Sequence, residues 1–257
     1  MGTSLIPASG LLQAAFALYR KNMKLILTLM IGPTVLVAGG LLVASYGYGS
    51  GNILVILGRI FAYAFGIGFV ALYADETMNR DAVVLKGRQL FFSSIWIAIL
   101  AGLATFGGFF LFIIPGIVLG VLLSVVQPIL VVEEKHGFAA LVASWGYVKG
   151  YTAKVFWRML FIVFCFVLIV FAAGLVGGLV TGENVMVSVG EAADPEGNVA
   201  SAIILEVVSS LFLTPLILVY IYSLYHNLKD VRGAAAEPSP EEVAKIKKKL
   251  IALIVVA

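Results

Sequence analysis

Long apolar runs alternate with short polar segments along most of the chain, and six of the runs reach the length of a membrane span. The hydrocarbon core of a bilayer takes about 20 apolar residues of helix. The runs lack the period-two alternation of a membrane barrel strand, and a helix satisfies its own backbone hydrogen bonds in lipid. The predicted spans are therefore helices over residues 25–45, 53–74, 92–114, 117–132, 155–180 and 202–224, with a tight turn at Pro115–Gly116 between spans three and four.

The composition supports this pattern. Hydrophobic residues make up 61% of the 257 residues and charged residues only 12%, whereas soluble domains carry about 25% charged residues. The predicted fold class is an all-α, polytopic membrane protein. Residues 1–232 form its six-helix membrane domain, and residues 233–257 form a cytoplasmic linker and a short amphipathic C-terminal helix.

The basic residues indicate the orientation of the spans. All but one of the 17 Lys and Arg residues fall before span one, between spans two and three, between spans four and five or at the start of span five, or after span six. The loops at 46–52 and 181–201 contain none. By the positive-inside rule both termini are cytoplasmic, as expected for a multi-pass protein of the cell (inner) membrane. The first ten residues lack a basic region, so a cleaved signal peptide is not expected.

Two short amphipathic stretches, 11–22 and 139–150, each precede a span and align at Ala15 with Ala143, Tyr19 with Tyr147 and Lys21 with Lys149. Residues 81–90 form a shorter third version. One interpretation is a threefold repeat of an interfacial helix plus a helical hairpin. The alternative is that any cytoplasmic loop between spans shows the same amphipathic and basic composition, without a repeat.

The tail begins with a linker, and Ser239, Pro240 and Glu242 then predict a capped helix start. Its apolar end is too short to span a membrane. The favoured prediction places this helix on the cytoplasmic leaflet, because four lysines adjoin it; docking on a partner or on the bundle are the alternatives.

Arg59 and Glu206 lie within the predicted spans, each a few residues in from the external end, so the two share a depth. Charges in lipid are costly and usually paired. We therefore predict an ion pair between spans two and six, the alternative being that each side chain reaches the headgroups separately.

Prolines and small residues carry weaker signals. Pro128 and Pro215 are candidates for helix breaks that expose carbonyls to a substrate, although ordinary prolines satisfied by neighbouring helices are the favoured interpretation. Small residues at fourfold spacing predict close helix packing: they are Gly58, Ala62, Gly66, Gly116, Gly120, Gly174 and Gly178.

A set of short motifs resembles the membrane domain attached to some bacterial glycerophosphoryl diester phosphodiesterases. The matching residues are Pro115, Gly116, Pro128, Glu133, Ser144, Trp145, Lys149, Gly150, Pro215 and Tyr225. The resemblance implies six helices with interfacial segments. In such enzymes catalysis belongs to a separate soluble barrel, so no catalytic residue is carried over.

Little else in the sequence points to chemistry. With one cysteine and two histidines there is no metal-ligand spacing, and no nucleotide or hydrolase motif occurs. Glu133 and Glu134 beside Lys135 hint at a cytoplasmic polar site, with a solvated loop favoured. We expect no catalytic, cofactor or metal site and no nucleic-acid partner.

Three classes of function remain. The leading hypothesis is a non-catalytic membrane module, an accessory or scaffold subunit or a lipid-organising protein, with membrane lipids and a protein as partners. The alternative is a small transporter or channel for an amphiphilic or lipid-like substrate. A membrane-embedded enzyme is the least favoured, because no convergent carboxylates or histidines are evident.

Overall fold

The computed structural model describes residues 5–75, 77–181, 199–233 and 238–257. The regular secondary structure of these residues is all helical, and six of the helical segments are long and apolar enough to cross a membrane, which agrees with the predicted all-α fold and the predicted number of spans. The α-helices are α1 (Ala8–Ser45), α2 (Ser50–Ala74), α3 (Arg80–Leu111), α4 (Ile113–Leu122), α5 (Val126–Glu133), α6 (Phe138–Val148), α7 (Thr152–Thr181), α8 (Val199–Val208), α9 (Thr214–Arg232) and α10 (Pro240–Val256), with a π-helical turn at Ser209–Leu213.

The first amphipathic stretch is part of a single helix with span one, since α1 runs unbroken for 38 residues. Leu11, Ala15 and Tyr19 are buried, and their spacing of four places them on one face. Residues 81–90 are likewise the first turns of α3. The amphipathic stretches therefore bury their apolar faces inside the bundle.

The second stretch has a different conformation from the first. α6 ends at Val148, and eight of its eleven residues are buried, so it has protein neighbours on most of its circumference. Gly150 has a positive φ of 88°, a conformation that glycine adopts without strain, and separates α6 from α7. Its aligned partner Asn22 lies within α1, so the aligned stretches do not end alike.

The corner between α3 and α4 lies three residues before the predicted turn. The helix breaks at Phe112, whose backbone is extended, and Pro115 and Gly116 lie in the first turn of α4, where a proline's missing N–H has no helical partner to lose. A Cβ on Gly108 would lie 3.0 Å from the Cα of Gly116. The corner is therefore set by the close approach of two glycines, and the predicted turn at Pro115–Gly116 is wrong.

Span four is not one continuous helix. α4 ends at Leu122 and α5 begins at Val126, so Pro128 falls in the first turn of α5. The Leu122 carbonyl accepts a hydrogen bond from the buried Ser144 hydroxyl at 2.7 Å. A side chain of α6 thus satisfies a backbone group that the break exposes.

Span six contains the π-helical turn immediately before Pro215. A proline at position 215 cannot donate a helical hydrogen bond to the carbonyl of residue 211. The Tyr19 hydroxyl donates to the Leu211 carbonyl at 2.9 Å instead. The favoured interpretation of this proline, in which a neighbouring helix satisfies the backbone, agrees with this contact.

Glycines bring α1 and α2 into backbone contact. A Cβ on Gly40 would lie 2.7 Å from the Gly51 carbonyl oxygen, and one on Gly58 would lie 2.6 Å from Val37. Of the other predicted packing glycines, Gly66 faces Leu218 and Gly116 faces the Phe109 ring. Gly174 and Gly178 lie in a part of α7 whose side-chain packing the structure does not describe.

The C-terminal helix begins as predicted, because the Ser239 hydroxyl accepts a hydrogen bond from the Glu242 amide at 3.3 Å. α10 then packs along α3, burying Ile246 and Leu250. Gly107 of α3 touches the Leu253 carbonyl of α10 so closely that a Cβ would overlap it. α10 thus lies against the bundle, and the favoured prediction of a helix on the leaflet is wrong.

Replacing Gly107 by leucine is expected to undock α10, because the new side chain would occupy the position of the α10 backbone. Gly107→Leu should lower the Tm as much as deletion of residues 238–257 does, and should have no further effect in the deleted protein. Gly102→Leu is the matched control, since a Cβ on Gly102 meets nothing within 4 Å. Equal losses of Tm from Gly107→Leu and Gly102→Leu would contradict the docking of α10 on α3.

Candidate functional site

The most connected polar group among the described residues is the carboxylate of Glu133, at the end of α5. It accepts hydrogen bonds from the hydroxyls of Tyr147 at 2.6 Å and Tyr225 at 2.7 Å. Lys135 lies 2.9 Å and Lys229 3.3 Å from its oxygens. Its side chain is only 10% exposed. The favoured prediction of a solvated loop is therefore wrong for Glu133, which joins α5, α6 and α9.

The neighbouring Glu134 has a different environment. Its backbone is left-handed with φ of 54°, a common way to end a helix, and this turns its side chain outward to 66% exposure. Lys86 donates a 2.6 Å hydrogen bond to it, which lowers the pKa of the Glu134 carboxyl. Of the two adjacent glutamates, Glu133 is therefore partly buried and joins three helices, whereas Glu134 makes a surface contact.

Several motif residues form a second set of contacts beside Glu133. Arg232 donates to the Gly146 carbonyl and lies over the Tyr151 ring, and its guanidinium also packs at Gly150, where a side chain would crowd it. Lys149 donates to Glu242 at 3.0 Å, and this lowers the pKa of the Glu242 carboxyl. Lys149, Gly150 and Tyr225 are thus brought together with Glu133 at one end of the bundle, and Trp145 packs partly buried against the core.

A smaller network links α2, α3 and α5. Tyr63, Ser94 and Gln127 form a closed ring of hydrogen bonds: the Tyr63 and Ser94 hydroxyls are 2.7 Å apart, Ser94 donates to Gln127 at 2.7 Å, and Gln127 donates to Tyr63 at 3.1 Å. In a membrane such side chains act as links between helices. Neither Tyr63 nor Ser94 stands out in the sequence, since isolated hydroxyls in apolar runs are common.

Arg59 and Glu206 are brought into direct contact. Nη2 of Arg59 lies 3.1 Å from Oε2 of Glu206, and Ser210 donates to the other carboxylate oxygen at 2.6 Å. The Glu206 side chain is 13% exposed and that of Arg59 is 64% exposed. The contact joins α2 to α8, and Ser210 lies in the π-helical turn.

A double-mutant cycle measures the coupling of this pair. Arg59→Gln and Glu206→Gln are each expected to lower the Tm because each leaves an unpaired charge in the bundle. The double substitution should be milder than the sum of the two, with a coupling of about 1 kcal/mol given the exposure of Arg59. Additive losses would mean that the charges do not stabilise each other.

The N-terminal segment is held by backbone contacts. Arg158 of α7 donates to the carbonyls of Leu5 and Ile6, and the Ile6 amide donates to the Asn227 side chain at 3.0 Å. Charged and polar side chains of α7 and α9 thus fix the entry of the chain into α1.

A large apolar groove lies between α1, α7 and the start of α9. Its volume is ≈ 910 Å³, at the upper end of the roughly 300–1,000 Å³ typical of small-molecule pockets. Its lining is apolar except at Gln13 and at two basic residues, Arg20 and Lys21. The single cysteine, Cys165, also lines it. Nothing in the sequence pattern singles out this groove, because its walls come from distant segments.

In the part of the chain described, no three His, Cys, Asp or Glu side chains are placed to hold a metal ion. His226 stacks on the Tyr222 ring at 6.1 Å. These polar groups therefore form contacts between helices. The groove, in contrast, is an apolar space suited to a hydrocarbon chain.

No known protein family, no curated protein and no solved structure matches the chain. The resemblance to the phosphodiesterase membrane domain therefore stays a prediction carried by its short motifs.

Proposed function

We propose that this chain is a non-catalytic integral membrane module of the cytoplasmic membrane that organises lipid or scaffolds a protein partner. The observation that carries the proposal is the use of the ionisable side chains in the bundle. Glu133, Glu206 and Arg158 are each engaged by side chains or carbonyls of other helices. Side chains engaged in such contacts stabilise the arrangement of the helices and are not available to act together as catalytic groups.

The contacts also support one part of the proposed topology, namely that the loops rich in basic residues and the C-terminal segment lie on the same side of the membrane. Four polar contacts join only segments that the positive-inside rule assigns to the cytoplasm. These contacts are Lys86 with Glu134, Glu133 with Lys229, Lys149 with Glu242, and Arg232 with the Gly146 carbonyl. Segments on opposite sides of a bilayer about 30 Å thick cannot meet in this way.

The proposed relation to the phosphodiesterase membrane domain fits such a role. In that family the membrane domain accompanies a separate catalytic domain, and Glu133, Lys149, Gly150 and Tyr225 of its motif set meet at one end of this bundle. The exposed Lys and Glu side chains around Glu133 would contribute charge complementarity to an interface with a protein partner.

The second candidate is a transporter for an amphiphile. It is favoured by the apolar groove, by the break in span four and by the π-helical turn beside Pro215, since irregular helices line substrate sites in transporters. Tyr19 and Ser144 already satisfy the carbonyls at these two irregularities, which leaves fewer groups for a substrate.

Flux into proteoliposomes separates the two candidates. For the proposed module, uptake of a fluorescent fatty acid or lysophospholipid should not exceed that of protein-free liposomes. Transport would be established, and the proposal of a non-catalytic module overturned, by protein-dependent uptake that is abolished by Glu206→Gln. The exposed control Glu241→Gln should then preserve the uptake.

A further inference from the structure

We propose that α3 and α4 form a hairpin that enters the bilayer from the cytoplasmic side and turns back before it reaches the external surface. Its apex, residues 109–114, is the surface that contacts the acyl chains of the external leaflet. The inference goes beyond the proposed function, and it rests on the proposed topology, in which both ends of the hairpin are cytoplasmic.

The apex exposes large apolar side chains and carries no polar ones. Phe112, Ile113 and Ile114 are each 70% exposed or more, and no side chain from residue 106 to residue 123 can form a hydrogen bond. The turn between α1 and α2 differs, since residues 45–52 include two serines, two tyrosines and an asparagine. A cluster of exposed apolar side chains is unfavourable in water, so the composition of the apex indicates a hydrocarbon environment.

The exposed apex is continuous with an uncovered apolar face of α3. Ile99, Leu103, Phe106 and Phe110 are all exposed, and their spacing of three or four residues places them on one side of the helix. The end of α10 adds the exposed Val255. Protein interfaces normally have a polar rim, and no polar side chain borders the apex along the chain. Acyl chains are therefore the occupant that fits this surface.

The backbone of the corner suits a position in hydrocarbon, where a chain must satisfy its own polar groups. The break between the two helices consists of Phe112 alone. Its amide donates to the Gly108 carbonyl at 3.1 Å, and its carbonyl accepts from the Gly116 amide at 3.3 Å. Pro115, in the first turn of α4, has no N–H to satisfy. The corner therefore leaves neither backbone group of the break without a partner.

The docking of α10 limits how far the apex can reach. Glu242, near the start of α10, pairs with Lys149, and both side chains are substantially exposed, as expected outside the hydrocarbon. Leu253 of α10 touches Gly107 of α3. The rise from Glu242 to Leu253 is about 16 Å and that from Gly107 to Phe112 about 8 Å. Even with both helices along the membrane normal, the apex is about 24 Å from the Glu242 level, whereas the hydrocarbon core is about 30 Å thick.

The first test is thiol labelling on intact cells, in the full chain whose single cysteine is removed by Cys165→Ala. Tyr48→Cys, at an exposed position of the α1–α2 turn, should react with a membrane-impermeant maleimide added outside. Phe112→Cys should react at least about tenfold more slowly, because a thiol in apolar surroundings is not ionised. Both variants should be labelled fully after denaturation in SDS.

Depth is measured independently on the purified protein in phosphatidylcholine liposomes, with a bimane probe on each introduced thiol. Ile99→Cys is the control for a lipid-facing position of α3. Bromine atoms on the acyl chains should quench the probe at Phe112→Cys as strongly as at Ile99→Cys, and iodide in the buffer should quench only the probe at Tyr48→Cys. Ile114→Cys, at the same apex, replaces Phe112→Cys if the latter lowers the Tm.

Three results would overturn the hairpin. Labelling of Phe112→Cys from outside as fast as that of Tyr48→Cys would show that α3 and α4 cross the membrane, and the topology and the module would stand. Exclusion of the maleimide in cells without quenching by brominated lipid in liposomes would show that a protein covers the apex in place of acyl chains. Labelling of Tyr48→Cys only after permeabilisation would overturn the topology and the hairpin with it.

Discussion

Replacing Gly40 by valine is expected to lower the Tm by roughly 6–12 °C. A Cβ at this position would lie 2.7 Å from the Gly51 carbonyl oxygen and 2.8 Å from the Val55 amide nitrogen. Both neighbours are backbone atoms that cannot rotate away, so the α1 and α2 axes must separate along the contact. The expected cost is about 3 kcal/mol, at the upper end of overpacking substitutions.

Gly39 supplies the control for this prediction. It is the adjacent residue of the same helix, and a Cβ on it meets nothing within 4 Å. Gly39→Val introduces the same β-branched side chain with the same helix propensity. A fluorescence-detected melt of both variants in detergent or nanodiscs should therefore show a large loss for Gly40→Val and a small change for Gly39→Val. Similar Tm values for the two would contradict the close packing of α1 on α2.

The second large effect is expected for Glu133→Gln. The amide keeps the shape of the side chain but removes the charge and replaces one acceptor oxygen by a donor. Two tyrosine hydroxyls and two lysines then lose a shared carboxylate in a site that is 10% exposed. Losing one member of a buried charged network costs about 2–3 kcal/mol, or roughly 5–10 °C in Tm for a chain of this size.

Glu134→Gln is the control, since Glu134 follows directly in the chain and its salt bridge among the described residues is with Lys86, at an exposed position. Glu134→Gln should lower the free energy of unfolding by no more than about 0.5 kcal/mol. The two melts should be recorded at neutral pH, where both carboxyls are ionised. If Glu133→Gln and Glu134→Gln have the same Tm, Glu133 is not the residue that joins α5, α6 and α9.

The spans could be predicted from the sequence because hydropathy over 20 residues reports directly on burial in lipid. The Arg59–Glu206 contact could be predicted for a related reason, since these two residues lie within spans at a similar depth and a charge in lipid needs a partner. The cap at Ser239 depends on four consecutive residues and was equally accessible. Each of these features is decided by local sequence or by a strong energetic penalty.

Features decided by packing were harder to predict. The α3–α4 corner falls at Phe112 because Gly108 and Gly116 approach each other, which the Pro115–Gly116 pair does not reveal. Glu133 looks like its neighbour Glu134 in sequence, and only the fold brings Tyr147 and Tyr225 to it. The lysines of α10, next to its apolar end, favoured a position on the membrane surface, whereas the contact at Gly107 places the helix on α3.

The most direct test of the module is the intact mass of the complex extracted gently from its own membrane in copolymer discs. The account predicts a stoichiometric protein companion, retained phospholipid, or both. A bare monomer or a homo-oligomer with neither, together with protein-dependent flux in liposomes, would contradict it and establish a transporter in its place.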